Sequence, residues 1–371
     1  MKLIILSIDH NLLNRESATS LRMSHYGTYV GEIDVILVGA SGESLNLSQN
    51  VRVYPVAGTN KASSSFKALS LARQLVKSDT VIVVQDPFEM GLWGLVVSWI
   101  TKCPLNVQIH IDFFSPYFRR QSVRQYLQSM IAPFVLRRAD SVRAVSGKIA
   151  EYLKDELGVD AKKITIAPVF VDLNIIKNKS VTIDLHSKFP QFDWIILVAC
   201  RYVKQKNIPL AIEAFEIFKK THPKAGLVIA GSGPEESTIK EIVVEKDLEE
   251  SVKIGSWADE FASCMKTCDT FLLSSDYEGW GMTVIEAASL GKPVIMTDVG
   301  CANEFLIHEK DGLIVPTRDP EALAVAMSKY YDNRAFAKNM GLAAERSAST
   351  YMTMEENDML MKKSWESAVR I

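Results

Sequence analysis

Two glutamates, Glu278 and Glu286, stand with seven residues between them in Asp276-Tyr277-Glu278-Gly279-Trp280-Gly281-Met282-Thr283-Val284-Ile285-Glu286-Ala287. A carboxylate accepts two hydroxyl protons at once, which suits a vicinal diol. The segment follows an apolar run and opens an amphipathic one, so it predicts a strand, a loop and a helix starting near Met282. Gly279 and Gly281 allow backbone amides close to a ligand. The free N–H groups and positive dipole end of that helix suit a phosphate. Glu278 in the loop and Glu286 inside the helix can then serve the two ends of one ligand. The same residues also fit a plain glycine loop with an exposed Glu278 and a helix-surface Glu286, since single motifs arise by chance.

Arg201 and Lys206 form a second pair, in Cys200-Arg201-Tyr202-Val203-Lys204-Gln205-Lys206-Asn207 after a strand-like run. Two fixed cations there can hold a diphosphate and stabilise it as it leaves, a contribution of about 3–4 kcal/mol in comparable sites. Most Lys and Arg are solvated surface charge, which is the plainer alternative. Gly231-Ser232-Gly233-Pro234 predicts a turn into a helix and is by itself weak evidence for phosphate binding. His110 ends an apolar strand in Gln108-Ile109-His110-Ile111-Asp112; its near-neutral pKa makes it either a site residue or an ordinary strand cap. Asp86 either joins it or caps the next helix.

These side chains need rigid elements behind them. The chain has 371 residues, 47% hydrophobic and 23% charged, enough for two globular domains. A net charge of −2 argues against nucleic acid as a partner. The five cysteines lack metal-ligand spacing and read as reduced thiols of a cytoplasmic protein. The apolar N-terminus lacks the features of a secretion signal, and Gly91–Ile100 is too short to cross a bilayer.

Unbroken Val/Ile runs alternate with helical patterns: Leu3–Leu6, Val35–Val38, Val51–Val56, Val81–Val84, Val107–Ile111, Val142–Val145 and Ile164–Ala167. Polar residues 174–192 read as a linker. The alternation then restarts with Ile195–Ala199, Gly226–Ala230, Val252–Ile254, Thr270–Leu273, Pro293–Thr297 and Gly312–Val315, with helices including Ala302–His308 and a long final stretch, Ala335–Arg370. This is the pattern of two α/β, Rossmann-like doubly wound domains, with ligands expected in a cleft at the carboxyl ends of the strands.

The second half resembles the retaining glycosyltransferases of family 4, of the GT-B fold. The likeness runs from Glu278 and Glu286 through Ala288-Ser289-Leu290-Gly291-Lys292-Pro293-Val294-Ile295 to Val299-Gly300, Glu304 and Asp311-Gly312-Leu313-Ile314-Val315. The resemblance implies an acceptor-binding domain at 1–175, a nucleotide-sugar-binding domain at 190–350, and a C-terminal helix at 351–371 returning to the first domain. By it Glu286 binds the ribose, Glu278 meets the donor sugar, and Gly231, Gly279, Trp280, Gly281, Met282 and Thr283 face the donor. Arg201 and Lys206 match the family's Arg-x4-Lys element, and His110 lies near the donor sugar. Cys200 replaces the glycine common before that arginine, and Trp280 replaces a smaller aromatic; its ring is expected to pack under the loop. Many members have a glycine pair after the first strand, where this chain has Asp9-His10-Asn11-Leu12-Leu13-Asn14-Arg15.

The implied activity is transfer of a hexosyl unit from a UDP-, GDP- or ADP-sugar to a saccharide, lipid-linked or small-molecule acceptor in polysaccharide or glycolipid biosynthesis. No Asp-x-Asp triplet occurs, so neither a metal nor another cofactor is expected beyond the nucleotide-sugar co-substrate. A nucleotide-sugar epimerase of the same fold and a non-catalytic nucleotide-sugar binder are the alternatives; a nicotinamide enzyme would need a Gly-x-Gly-x-x-Gly that is missing. Arg119, Arg120, Arg124, Arg137, Arg138 and Arg143, downstream of Phe113, Phe114, Tyr117 and Phe118, either form a solvated face or meet anionic lipid at the inner face of the membrane.

Overall fold

The computed structural model describes residues 1–256 and 260–369. Arg370 and Ile371, which end the helical stretch read from the sequence, lie outside the described residues. The chain divides into two units, Met1–Pro168 with Thr353–Ile371, and Val169–Met352.

The first unit holds an eight-stranded sheet ordered β3-β4-β2-β1-β5-β6-β7-β8. Its strands are β1 Lys2–Ser7, β2 Glu32–Val38, β3 Leu45–Ser48, β4 Val51–Val56, β5 Thr80–Val84, β6 Leu105–Ile109, β7 Ser141–Ala144 and β8 Ile164–Ile166. Every neighbouring pair is parallel except β3–β4. β1, β5, β6 and β7 are buried along their whole length; β5 reads as an unbroken apolar run, whereas β6 and β7 bury Asn106, Gln108, Ser141 and Arg143. The edge strand β3 was not expected: Leu45-Asn46-Leu47-Ser48 is only partly covered and carries too little apolar pattern.

The second unit holds a six-stranded sheet ordered β11-β10-β9-β12-β13-β14, parallel throughout. Its strands are β9 Trp194–Ala199, β10 Ala225–Ala230, β11 Val252–Gly255, β12 Thr270–Leu273, β13 Val294–Thr297 and β14 Leu313–Val315. The chain winds outward from β9 through β10 to β11, then returns past β9 to β12. The strand order therefore reverses between β9 and β12, and in open α/β sheets that point binds ligands.

Three expectations need correction. Residues 302–308 are not a helix: Asn303 and Glu309 take left-handed φ of 62° and 59°, and short bridges join Ala302 to Leu306 and His308 to Gly312. The final stretch is two helices, Arg334–Ser349 and Met354–Glu366, because Thr353 and Glu356 form a capping box that starts a new one. The supposed linker belongs to the second unit. It forms short helices at Leu173–Asn178 and Leu185–Lys188, with the Thr182 amide donating to Ser263 Oγ (2.9 Å) and His186 Nε2 2.9 Å from Asp269 Oδ2. The chain crosses between units at Pro168/Val169 and Met352/Thr353, not within the 175–190 gap or at 350/351. Helix Met354–Glu366 buries Met361 and Trp365 in the first unit's core, and Asn106 Nδ2 of β6 donates to the Ser364 carbonyl (3.1 Å) and Oγ (3.0 Å).

Candidate donor site in the second unit

The loops that follow β9 and β12 flank the reversal point. After β9 the chain is anchored by Tyr202, whose fully buried ring donates its hydroxyl to the carbonyls of Ile229 (2.9 Å) and Gly255 (3.1 Å). The Tyr202 amide donates to the Ser232 carbonyl at 2.8 Å. Gly231 and Gly233 permit this approach: a Cβ on Gly231 would stand 1.9 Å from the Cys200 carbonyl oxygen, and one on Gly233 2.4 Å from that of Tyr202. Their φ angles of 151° and 155° also disfavour side chains. Gly231 thus lets the chain pack closely on the loop that carries Arg201. Arg201 itself is exposed. Burial raises the Cys200 thiol to about 12, so it stays protonated.

Lys206 and Glu278 are brought together. Glu278 Oε1 accepts from Lys206 Nζ (2.5 Å) and Ser275 Oγ (2.7 Å), and Oε2 accepts from Gln205 Nε2 (3.1 Å). Both loops are tied to each other behind this pair. The Asp276 amide donates to the Gln205 carbonyl (2.9 Å), Ser274 Oγ to the Lys206 carbonyl (2.9 Å) and Gln205 Nε2 to the Tyr277 carbonyl (2.9 Å). Asp276 accepts from Asn207 Nδ2 (2.7 Å) and from Arg318 Nε (3.0 Å) and a terminal guanidinium nitrogen (2.7 Å). Sequence reasoning missed Gln205, Ser275, Asn207 and Arg318 as supports. Only Asn207 had a local signal, since it precedes Ile208-Pro209 as the helix N-cap.

Gly281, at φ 96°, turns the chain into helix Met282–Ser289, and no side chain caps its amides. Those amides are the anion-binding groups expected of this loop. Met282 is exposed and Thr283 half-buried. Trp280 is buried and donates Nε1 to Tyr351 Oη (2.9 Å), so its ring packs beneath the loop. Gly279 lies between it and Glu278. Glu286 is half-buried; its carbonyl accepts from Ser289 Oγ (2.8 Å), its carboxyl makes no hydrogen bond among the described residues, and burial alone raises that carboxyl to about 7.

In the first unit His110 follows β6 with its side chain open to solvent. Solvent reaches the ring, yet the bulk of protein around it still desolvates the charged form; that effect, and after it the charges of Arg143 and Arg22, lower the imidazole pKa. Asp86 accepts from the Phe88 amide (2.8 Å) in a turn, and burial raises its pKa. In the first loop Asp9 caps a turn over His10–Leu13 and accepts from Thr19 Oγ1 (2.9 Å). The basic aromatic stretch divides. Arg143 is buried on β7, donating to the carbonyls of Ala167 (2.9 Å) and Pro168 (3.2 Å) and to Gln108 Oε1 (3.2 Å). Phe113 and Phe118 are in the core, where Phe88 lies edge-on to the first and stacked on the second. These three were wrongly expected at a surface, because a run of like residues does not reveal which of them a strand turns inward.

Residues 183–347 match the family model of the glycosyl transferases group 1, and residues 31–175 that of glycosyltransferase family 4. A lipopolysaccharide core biosynthesis mannosyltransferase of Rhizobium meliloti, LpsB, is 30% identical over 254 residues, 64% of this chain and 68% of that protein. The chain belongs to the group 1 glycosyltransferases. A UDP-Gal:alpha-D-GlcNAc-diphosphoundecaprenol alpha-1,3-galactosyltransferase of Escherichia coli is 23% identical, covering 72% of this glycosyltransferase and 70% of that one. The fold is that of Anabaena HepE, solved with UDP and glucose: TM-score 0.77, 19% identity, over 99% of this chain and 100% of the other. Sucrose-phosphate synthase from Thermosynechococcus elongatus gives 0.76 at 20% identity, over 100% and 99%. In this chain the loop pair brings cations, uncapped amides and two carboxylates together within one unit.

Proposed function

We propose that this glycosyltransferase takes its sugar from a nucleotide diphosphate-sugar bound at the reversal point of the second unit. Transfer would proceed without metal and with retention of anomeric configuration. The observation that carries the proposal is Glu286: a half-buried carboxyl without a partner among the described residues, one turn inside a helix whose amides no side chain caps. A ribose diol supplies the donors it lacks. The diphosphate then lies against the helix amides, with Arg201 and Lys206 as its countercharges, and Glu278 meets the hydroxyls of the sugar.

In the reaction the bond from the anomeric carbon to the diphosphate oxygen breaks, and the leaving group takes the electron pair. The acceptor hydroxyl bonds to the same face of that carbon, and its proton passes to the departing phosphate oxygen. Positive charge held in place before the reaction stabilises that departure. His110, a neutral imidazole, is proposed to position the reacting groups as a hydrogen-bonding side chain. The acceptor classes remain a saccharide, a lipid-linked or a small-molecule alcohol, in cytoplasmic polysaccharide or glycolipid synthesis. The names of the Rhizobium and Escherichia relatives support that setting.

The test is calorimetric titration with UDP, GDP and ADP and their sugars. One of them is expected to bind, and Glu286→Ala to weaken it at least about tenfold; unchanged affinity would remove the ribose role. Product configuration by NMR and turnover in excess EDTA test retention and metal independence.

A further inference from the structure

Helix Val123–Arg138 is apolar on two opposite sides. Ser129, Ala132, Val135 and Leu136 face the core of the first unit. Val123, Tyr126, Leu127, Met130 and Phe134 are exposed, Val123 at 78% and Met130 at 61%. At 3.6 residues per turn these five fall within an arc of about 100° opposite the buried side, where a surface helix ordinarily carries polar groups. The neighbouring helix Glu89–Thr101 packs against it: a Cβ on Gly91 would stand 2.8 Å from Val135 Cγ1, and Arg124 Nε donates to Glu89 Oε1 (3.1 Å).

The charge around this face is mainly positive, with Glu89, paired to Arg124, the acidic group beside it. Residues 116–138 contain Arg119, Arg120, Arg124, Arg137 and Arg138 and no Asp or Glu, although the whole chain has a net charge of −2. The Arg138 guanidinium lies 3.8 Å from the Phe134 ring centroid, so a cation borders the apolar stripe directly. An apolar stripe edged by arginines matches a surface of hydrocarbon beneath anionic headgroups. A two-fold contact with a second copy would set arginines against arginines, with Glu89 the nearest countercharge.

We propose that helix Val123–Arg138 lies on an anionic lipid bilayer. The apolar side chains enter the headgroup boundary and the arginines meet the phosphates. No helix among the described residues is long and apolar enough to cross a membrane, so the contact is peripheral. This does not depend on the donor chemistry above.

The test is co-sedimentation of the full chain with vesicles of phosphatidylcholine, alone and with phosphatidylglycerol added. Binding is expected to need the anionic lipid and to weaken at high ionic strength. Leu127→Glu with Met130→Glu should reduce it at least tenfold, and Arg120→Glu with Arg124→Glu at least about fivefold per charge removed. Val325→Glu, at an exposed apolar position of the second unit, should leave it unchanged. Circular dichroism confirms that each variant is folded. No sedimentation with anionic vesicles, or equal sedimentation of the Leu127/Met130 variant, overturns the proposal. So does a dimer in light scattering that this variant dissolves, which would assign the face to a second copy.

Discussion

Glu278 and Glu286 belong to one loop and one helix, yet they are built in opposite ways. Glu278 is buried and satisfied by Lys206, Ser275 and Gln205. The Glu286 carboxyl has no partner among the described residues and is raised to about 7 by burial. The first is positioned before any ligand arrives; the second lacks donors until a ligand supplies them. On the proposed reading, a donor at Glu278 would share it with a cation already in place, which fixes its geometry. A donor approaching Glu286 gains hydrogen bonds that the empty protein does not make, which favours affinity. The contrast predicts that changes around Glu278 act mainly on turnover and stability, and changes at Glu286 mainly on binding.

The most damaging change should be Lys206→Ala. It removes a proposed countercharge of the leaving group and strips a buried carboxylate of its cation. Turnover is expected to fall about 10²–10³-fold, as when one preorganised stabilising group is lost. Stability should drop by roughly 2 kcal/mol rather than the full cost of a broken buried pair, because Ser275 and Gln205 still donate. Steady-state kinetics beside thermal unfolding would separate the two. Loss of stability with normal turnover would make the pair purely structural.

Gly300→Ala breaks the comparison from behind. At φ 55° a Cβ would stand 2.4 Å from the Trp280 carbonyl oxygen and 2.9 Å from Glu278 Cβ. The left-handed backbone and the clash together should cost about 2–3 kcal/mol and push the Glu278 loop outward. Nucleotide affinity through Glu286 should fall far less than turnover. Equal losses in both would show that the loop and helix move as one body.

Glu286→Gln sharpens the contrast through pH. An unfolded glutamate ionises near its ordinary value of 4.5, whereas burial raises Glu286 to about 7 in the folded chain. Between those values the unfolded chain has lost the proton and the folded chain has not, so stability declines as pH rises through the window and levels off above it. The glutamine variant should escape this decline and gain on the order of 2 kcal/mol at pH 8, with little change at pH 4. Its affinity for the nucleoside diphosphate should fall roughly tenfold or more. Melting curves across pH with calorimetric titration would check both signs.

The sequence made the strands legible because parallel strands covered on both faces are unbroken Val/Ile runs, β1 and β9 alike. It made Glu278 and Glu286 legible because a loop and its following helix keep both in one short segment. The supports were hidden because Arg318 and Ser275 reach their partners from distant or unremarkable positions, and no local pattern announces Arg318 as the partner of Asp276. The edge strand β3 and the break before Thr353 were missed for local reasons: weak patterning in the first, an overlooked Thr-x-x-Glu cap in the second. The arginine stretch was misread because composition cannot tell Arg143 on a buried strand from Arg138 on a helix surface.

Trp280→Phe should have the smallest effect, and it asks which of the two carboxylates the loop's aromatic serves. The indole donates to Tyr351 Oη at 2.9 Å, and Tyr351 in turn donates to the Val169 carbonyl at 2.6 Å. Phenylalanine keeps most of the packing and loses one donor, which should cost about 1 kcal/mol of stability, read from the denaturation midpoint. Trp280 lies two residues from Glu278 and its carbonyl accepts from the Cys301 amide at 2.7 Å, so the backbone that positions Glu278 has a second anchor. Turnover should therefore change by less than about threefold. A larger loss of turnover with unaltered nucleotide affinity would mean that the indole, not the Cys301 contact, holds the paired carboxylate in register with Lys206.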